Sequence, residues 1–324
     1  MEQQVIVLHG RPADIDFAAP VASLEERGRP SAGLDRMRNV RRMLRETDLV
    51  QAHGGEALKH AIPALLGTRT PVVYRRIGGR LPRLSPPRRS FYRALIKRAA
   101  MVVTLTEGGR AELIDELGVH PARVALIPNA IDPARFARVP GRSEARRALG
   151  LSDHDKVILS LGALVEDKDP LGHLAVTRPV VETRDDVVHV FVGQGHLEPQ
   201  LRHSIGASTG FRIVPEVADA SLPLAAADVL LLASRSEGTP AVVLEARLCG
   251  LPVAAYEIGG VAEALPPHAV RLAPVGDVDA LRARVCEWLD SAERPAPQLP
   301  SAAAHAFAEV ADAYLRVYRG VLNR

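Results

Sequence analysis

Two glutamates separated by seven residues, Glu237 and Glu245, are the side chains whose spacing most suggests chemistry. The apolar run 228–233 before them is short enough for a buried strand. Residues 234–238 are typical of a turn, which would place Glu237 at the carboxyl end of that strand.

A helix is expected directly after this turn. Thr239 can cap it and Pro240 fits its first position, where the missing N–H is not needed. Gly250 and Pro252 would end it, so Glu245 should lie one to two turns inside. The N–H groups of a helix start attract phosphate, and carboxylates accept hydrogen bonds from sugar hydroxyls. Two glutamates alone are more often exposed surface residues, so the rest of the chain must decide.

Composition indicates a globular protein with room for two domains, since 47% of the 324 residues are hydrophobic. We find no apolar run long enough to span a membrane and no signal-peptide core, so the expected location is the cytoplasm, either free or at the cytoplasmic face of a membrane. Cys249 and Cys286 are too few for a disulfide framework and lack metal-site spacing.

The net charge of +3 hides a basic segment, residues 69–98, which has no Asp or Glu. It could contact an anionic membrane or a phosphorylated acceptor, or it could be a solvated basic helix. Nucleic acid is not expected as a partner, because few aromatic residues accompany the arginines and no known binding motif is present.

Short apolar strands alternate with helices along the chain, which predicts α/β architecture with parallel, doubly wound sheets. A helix is expected near residues 18–27, a short one at 143–149 and a long one at 302–321. The predicted strands are 5–8, 48–52, 71–74, 101–106, 124–127, 157–161, 187–192, 212–214, 228–233 and 253–256. The predicted domains are 1–138 and 156–300, joined by a linker at 139–155 and followed by a C-terminal helix at 301–324.

Five segments of the second half carry a family resemblance in their order and spacing. They are a strand, glycine and lysine (157–168), a strand ending in Gly-x-Gly (190–195), an apolar run (225–234), the two-glutamate segment (234–253) and a strand with two glycines (253–263). Together they resemble the retaining glycosyltransferases of family 4, which have the GT-B fold. The first half agrees more weakly, through segments 50–53 and 123–136.

The resemblance implies two facing Rossmann-like domains and a C-terminal helix that could cross back to the first. The second domain would bind a nucleotide-diphosphate sugar, UDP- or GDP-linked, and the first a hydroxyl acceptor. In such enzymes Glu237 would contact donor-sugar hydroxyls, Glu245 the ribose, and Lys168 the diphosphate leaving group, while His53 would lie near the reacting sugar. Further donor-side residues are Gly162, Gly193, Val217, Gly238, Thr239 and Pro240. Acceptor-side candidates are Gly10, Arg75 and Arg76.

Same-face substitution without a metal or cofactor is the mechanism that the resemblance favours. The leaving phosphate would take the acceptor's proton, so no protein base is required. The alternative for His53 is a structural histidine at a strand end. A nicotinamide site is disfavoured, because Glu198 stands where the third glycine of a dinucleotide fingerprint would be.

Two departures from the family pattern leave a second function open. Ala163 occupies the position where the family commonly has arginine beside the lysine motif. The N-terminus is also short, as if the first strand-helix unit or the residues after it were missing. A non-catalytic sugar-nucleotide or carbohydrate-binding protein of the same fold is therefore the alternative to a transferase.

Overall fold

The protein is described from a computed structural model, which covers residues 5–7, 21–23, 34–77, 85–234, 237–297 and 307–324. In these ranges it is an α/β protein whose sheets, of two, four and six strands, are all parallel, as predicted. None of the helices in these ranges is both long and apolar enough to span a membrane.

The first half contains a sheet of four parallel strands in sequence order β3-β4-β5-β6. Two further strands, β1 and β2, pair with each other in parallel. The elements are β1 (Val5–Val7), β2 (Val21–Ser23), α1 (Leu34–Met43), β3 (Val50–His53), α2 (Gly54–Ala64), β4 (Val72–Arg75), α3 (Pro86–Arg98), β5 (Met101–Thr104), α4 (Glu107–Ala111) continued as one π-helical segment (Glu112–Glu116), and β6 (Val124–Leu126).

The second half contains a six-stranded parallel sheet in the order β12-β11-β10-β7-β8-β9. Its elements are α5 (Arg142–Ala148), β7 (Lys156–Leu161), α6 (Pro170–Thr183), β8 (Val187–Val192), α7 (Glu198–Ile205), β9 (Phe211–Val214), α8 (Ser221–Ala226), β10 (Val229–Leu232), α9 (Ala241–Leu248), β11 (Val253–Tyr256), α10 (Val261–Ala264), β12 (Val270–Ala273) and α11 (Val278–Leu289). The order reverses direction between β7 and β10, which is where open α/β sheets form their ligand crevice.

The C-terminal helix α12 (Phe307–Leu322) returns to the first half. Successive β4 residues face opposite sides of the sheet, so Val72 packs with the helices of the first half while Val73 packs against α12. Helix α12 contributes Val310 and Val321 to this second face, at helical spacing. Among the described residues, helix α12 therefore covers the second face of the sheet in the first half.

Two local expectations were wrong. Residues 21–23 lie inside the predicted helix 18–27 but form strand β2, because they pair in parallel with β1. Thr239 does not cap α9, which begins at Ala241 with Pro240 in the cap position and no side-chain cap. The other described strands agree with prediction to within a few residues, except β12 (Val270–Ala273), which was not predicted and which adds to the sheet by pairing with β11. The predicted division into domains at 138 and 155 stays a prediction.

Helix α5 is fixed to the second half by a buried arginine. Arg146 is 1% exposed and donates to Asp228 Oδ2 at 2.8 Å and to the Ala226 carbonyl at 3.1 Å. Asp228 also accepts from the backbone N–H of Val157 at 2.8 Å. The carboxylate therefore balances a buried charge and joins α5 to the start of β7.

Replacing Asp228 with alanine is expected to lower the free energy of unfolding by about 3–5 kcal/mol, since it leaves the buried Arg146 charge unpaired. Urea denaturation measures this change. Glu182→Gln is the control: its pair with Arg178 is exposed, and its loss should cost less than about 1 kcal/mol. Equal effects of the two substitutions would contradict the structural role of Arg146.

Candidate functional site

Lys168 and Glu237 form an ion pair at the carboxyl edge of the second sheet, where the strand order reverses. Lys168 Nζ lies 2.5 Å from Glu237 Oε1, with the glutamate side chain 9% exposed and the lysine 39% exposed. Lys168 follows β7 and Glu237 follows β10, and these strands are hydrogen-bonded neighbours. Parallel neighbours end at the same edge of a sheet, so residues far apart in sequence meet there.

The chain turns sharply just after Lys168 and begins α6. Asp169 has a φ of 47°, a left-handed conformation that is uncommon outside glycine. Its Oδ1 accepts from the N–H of Gly172 at 3.0 Å and caps α6, and Pro170 occupies the first turn. This cap fixes the short segment that presents Lys168.

Glycines of the second half bring its loops close together. Gly193 has a φ of 145°, and a Cβ there would lie 2.0 Å from the carbonyl oxygen of Gly162. Gly259 has a φ of 47°, and a Cβ there would lie 2.0 Å from the carbonyl oxygen of Glu237. Each glycine therefore lets two loops at the carboxyl edge of the sheet touch. The loop that carries Glu237 therefore packs directly against the backbone of Gly259.

Glu245 is the fifth residue of α9 and is partly buried. Burial raises the pKa of its carboxyl group, and the positive charge of Arg135 opposes the rise. Arg135 belongs to a short 3₁₀ turn, Pro133–Phe136, that contacts α9. Glu245 therefore lies on the helix that follows the Glu237 loop. Its side of the helix faces the turn at residues 133–136, which connects the two halves.

A chain of hydrogen bonds joins the first half to the Glu237 loop. Arg75 Nη2 donates to Asn129 Oδ1 at 2.6 Å, and Asn129 Nδ2 donates to the Thr239 carbonyl at 2.7 Å. His53 Nδ1 lies 3.5 Å from Arg75 Nη1, because His53 and Arg75 are register partners at the ends of β3 and β4. Desolvation and the Arg75 charge both lower the pKa of His53.

A second connection between the halves uses Glu263. Its carboxylate accepts from the backbone N–H groups of Glu107 at 2.7 Å and Gly108 at 3.0 Å. These are the first residues of α4, whose cap Thr106 accepts from Gly109 N at 3.0 Å. Glu263 therefore satisfies two N–H groups that a helix start leaves without partners. The carboxyl edges of the two sheets face each other across these contacts.

Not all predicted site residues join this group. Arg76 is 4% exposed and forms a buried ion pair with Glu112, 2.6 Å from Nη2 to Oε2. Val217 packs against the core of the second half after β9, the edge strand of its sheet. Gly10 lies outside the described residues. The structure brings together Lys168, Glu237, Gly238, Thr239 and Pro240, with His53 and Arg75 opposite.

Sequence reasoning missed two residues of this arrangement, Asn129 and Glu263. Asn129 directly follows Ile127-Pro128 at the end of a predicted strand, which was the available signal for a residue at the carboxyl edge. Glu263 closes the Gly259-Gly260 segment, but no local pattern says that its partner lies in the first half. In the described ranges, no three or more His, Cys, Asp or Glu side chains form a group that could hold a metal ion.

The comparisons with known proteins agree with this geometry. The model described as Glycosyltransferase Family 4 matches residues 3–135, and the one described as Glycosyl transferases group 1 matches residues 155–291. The chain belongs to the family 4 glycosyltransferases.

Curated relatives of this family 4 chain act on different acceptors. It is 32% identical to a D-inositol 3-phosphate glycosyltransferase of Kineococcus radiotolerans, over 53% of this chain and 42% of the relative. It is 32% identical to a GDP-mannose-dependent monoacylated alpha-(1-6)-phosphatidylinositol monomannoside mannosyltransferase of Corynebacterium glutamicum, over 59% of this chain and 53% of the relative. The chain thus aligns with about half the length of these relatives.

Solved structures show the GT-B fold expected of the family. The Anabaena protein HepE in complex with UDP and glucose superposes with a TM-score of 0.75 at 20% identity, covering 94% of this chain and 86% of HepE. Sucrose-phosphate synthase of Thermosynechococcus elongatus superposes with a TM-score of 0.76 at 15% identity, covering 99% and 89%. At such identities the likeness concerns the fold alone.

The second half also contains two buried histidines close to the segment that carries Lys168. His173 on α6 and His189 on β8 both hydrogen-bond Ser160 Oγ, at 2.6 and 2.8 Å. Burial is the main cause that lowers the pKa of His173 to about 4, and it also holds the pKa of His189 well below its usual value. Both imidazoles are therefore neutral at physiological pH.

We expect the free energy of unfolding to fall as the pH is lowered from about 6.5 toward 4. The unfolded chain takes up a proton at each histidine near pH 6.5, whereas His173 in the folded protein is protonated only near its lowered pKa of about 4. Acid therefore favours unfolding, by about 1.4 kcal/mol per pH unit for each histidine.

Denaturant titrations between pH 6.5 and 5 test this expectation, because most carboxyl groups stay ionised there. His173→Phe should reduce the slope, whereas His154→Phe, at an exposed position, should leave it unchanged. A wild-type slope of zero in this window would contradict the assignment of neutral buried histidines.

Proposed function

We propose that this chain is a retaining glycosyltransferase that moves a sugar from a UDP- or GDP-sugar to a hydroxyl acceptor. The observation that carries the proposal is the Lys168–Glu237 pair at the sheet reversal, on a loop that Arg75 and Asn129 join to the first half. Its setting combines a fixed cation, a buried carboxylate and the start of helix α9, which suits a sugar joined to a diphosphate. The HepE complexes hold UDP or UDP-glucose in a protein of the same fold, which supports this donor class.

The leaving diphosphate would be stabilised mainly by Lys168. Negative charge grows on the phosphate as its bond to the anomeric carbon breaks, and a preorganised ammonium group lowers the energy of that state. Ala163 adds no second cation here. Arg75 of the first half would supply the second positive charge, because Asn129 links its guanidinium to the Thr239 carbonyl through two hydrogen bonds.

Substitution on a single face of the sugar accounts for retention. The acceptor oxygen forms a bond to the anomeric carbon on the side from which the diphosphate departs, and its proton passes to the departing phosphate oxygen. Glu237 would hold sugar hydroxyls and Glu245 the ribose hydroxyls, so neither need form a bond to carbon. The same reasoning leaves no step that requires a metal ion, and unchanged transfer rates with excess EDTA would support this.

The acceptor side is proposed from charge. Helix α3 exposes Arg88, Arg89, Arg93, Lys97 and Arg98. We propose that this face contacts an anionic membrane surface carrying the acceptor. Vesicles containing phosphatidylglycerol should bind the protein and neutral phosphatidylcholine vesicles should not, with binding lost in high salt. In the matched variant, Arg93 and Lys97 are replaced with glutamine; binding equal to wild type would reject this surface.

Donor binding is tested first by calorimetric titration with UDP and GDP. We expect saturable binding of at least one nucleotide at micromolar to millimolar concentration, with NAD giving none. A response to neither nucleoside diphosphate would contradict the proposal. The alternative, a non-catalytic sugar-nucleotide-binding protein, is supported by Ala163; it predicts nucleotide binding without donor hydrolysis or transfer to any acceptor in a broad panel.

Glu237→Ala and Lys168→Ala are each expected to reduce transfer at least tenfold, which is about 1.4 kcal/mol of transition-state stabilisation. Released nucleotide measures the rate, and proton coupling at the new anomeric centre reports retention. Lys156→Ala is the control, because Lys156 starts β7 at the opposite edge of the sheet. Wild-type rates in both site variants would reject their roles, and an inverted product would reject same-face substitution.

A further inference from the structure

Five polar groups form one continuous chain of hydrogen bonds beneath the proposed donor site. The N–H of Ala233 donates to His173 Nε2 at 2.9 Å, and His173 Nδ1 lies 2.6 Å from Ser160 Oγ. Ser160 Oγ lies 2.8 Å from His189 Nε2, and His189 Nδ1 lies 2.8 Å from Thr177 Oγ1. All four side chains are buried, with His189 and Thr177 fully so.

The positions of the protons follow from the first bond. A backbone N–H can only donate, so Nε2 of His173 accepts and its Nδ1 carries the proton. Ser160 accepts that proton's hydrogen bond and donates its own to His189 Nε2, which leaves the His189 proton on Nδ1, facing Thr177. Thr177 then donates to the His173 carbonyl at 3.1 Å. Each ring nitrogen and each hydroxyl then has a defined role as donor or acceptor, and both rings are held in a single neutral tautomer.

This chain of groups joins the segments that present the proposed donor-binding side chains. Ser160 lies two residues before Gly162, His173 five residues after Lys168, and Ala233 four residues before Glu237. The His173 ring also interacts with the backbone of Lys168. Ser160, His173, Lys168 and Ser234 line a cavity of about 30 Å³ between these segments. The charges that act on the ring are those of Asp169 and Lys168 on its own segment, and His189 of β8 shares Ser160 with it.

We propose that His173 is a positioning residue of the transferase: its neutral Nδ1–H tautomer ties the Lys168 segment to the end of β10 and so sets the separation of Lys168 from Glu237. The inference rests on the proposed function for its consequence in catalysis. His173 itself touches neither donor nor acceptor in this scheme. Its effect is on the rate of the chemical step rather than on donor binding.

The test compares three variants in steady-state transfer. His173→Leu removes the acceptor for Ala233 N–H and should lower kcat at least tenfold, with the donor KM changed less than threefold. His173→Gln keeps one acceptor and one donor and should recover to within threefold of wild type. Val176→Ala, a fully buried residue of the same helix, should lower the melting temperature comparably but leave kcat within threefold. Equal rates for His173→Leu and Val176→Ala would overturn the proposal.

Two measurements remain decisive if wild type transfers no sugar or His173→Leu does not fold. Nitrogen-15 correlation spectra of the wild type should show Nε2 unprotonated in both buried histidines, and a protonated Nε2 on His173 would overturn the inference. The Lys168 side-chain resonance should shift in His173→Gln or His173→Leu, whichever folds, and not in Val176→Ala. Absence of transfer in wild type, with these signatures present, rejects the proposed function and leaves the positioning role supported.

Discussion

The adjacency of β7 and β10 is the constraint on which the site depends. These strands are separated by two intervening strands and their helices in the chain, yet they pair in the sheet. Their carboxyl ends deliver Lys168 and Glu237 to within 2.5 Å of each other. Without the reversal of strand order at this point, the lysine motif and the two-glutamate segment would be parts of separate surfaces. The sheet topology therefore determines which side chains can act together.

The rest of the structure holds the two facing edges together. Asn129 reaches from the first half to the Thr239 carbonyl, and Glu263 reaches from the second half to the start of α4. In both contacts a side chain binds a backbone group, the Thr239 carbonyl in one and the N–H of Glu107 in the other. The contacts therefore hold the backbone of the Glu237 loop and of the start of α4 in place. Arg75 and His53 are consequently presented to the Glu237 loop. The site is shared by both halves even though its charged pair belongs to one.

Much of the fold was predictable because periodicity and turn residues act locally. The strand at Val253–Tyr256 and the helix bearing Glu245 are examples, since their limits are set by nearby glycine and proline. Strand β2 was missed because its three residues carry no alternation and depend on pairing with β1. Glu263, Asn129 and the His173–Ser160–His189 chain were missed for a related reason. Their hydrogen-bond partners are distant in sequence. Which polar groups meet depends on how the strands and helices pack, and no local pattern in the sequence shows this.

The return of α12 to the first half has a consequence for the order in which the protein is completed. Val73, Val103 and Ile127 form an apolar face that is covered by Val310 and Val321. The six strands of the second half all precede α12 in the chain. During synthesis, the second sheet therefore has every strand and flanking helix available while one face of the first sheet is still bare. The first half is synthesised first, but its sheet is covered by α12 only after the second half has been synthesised.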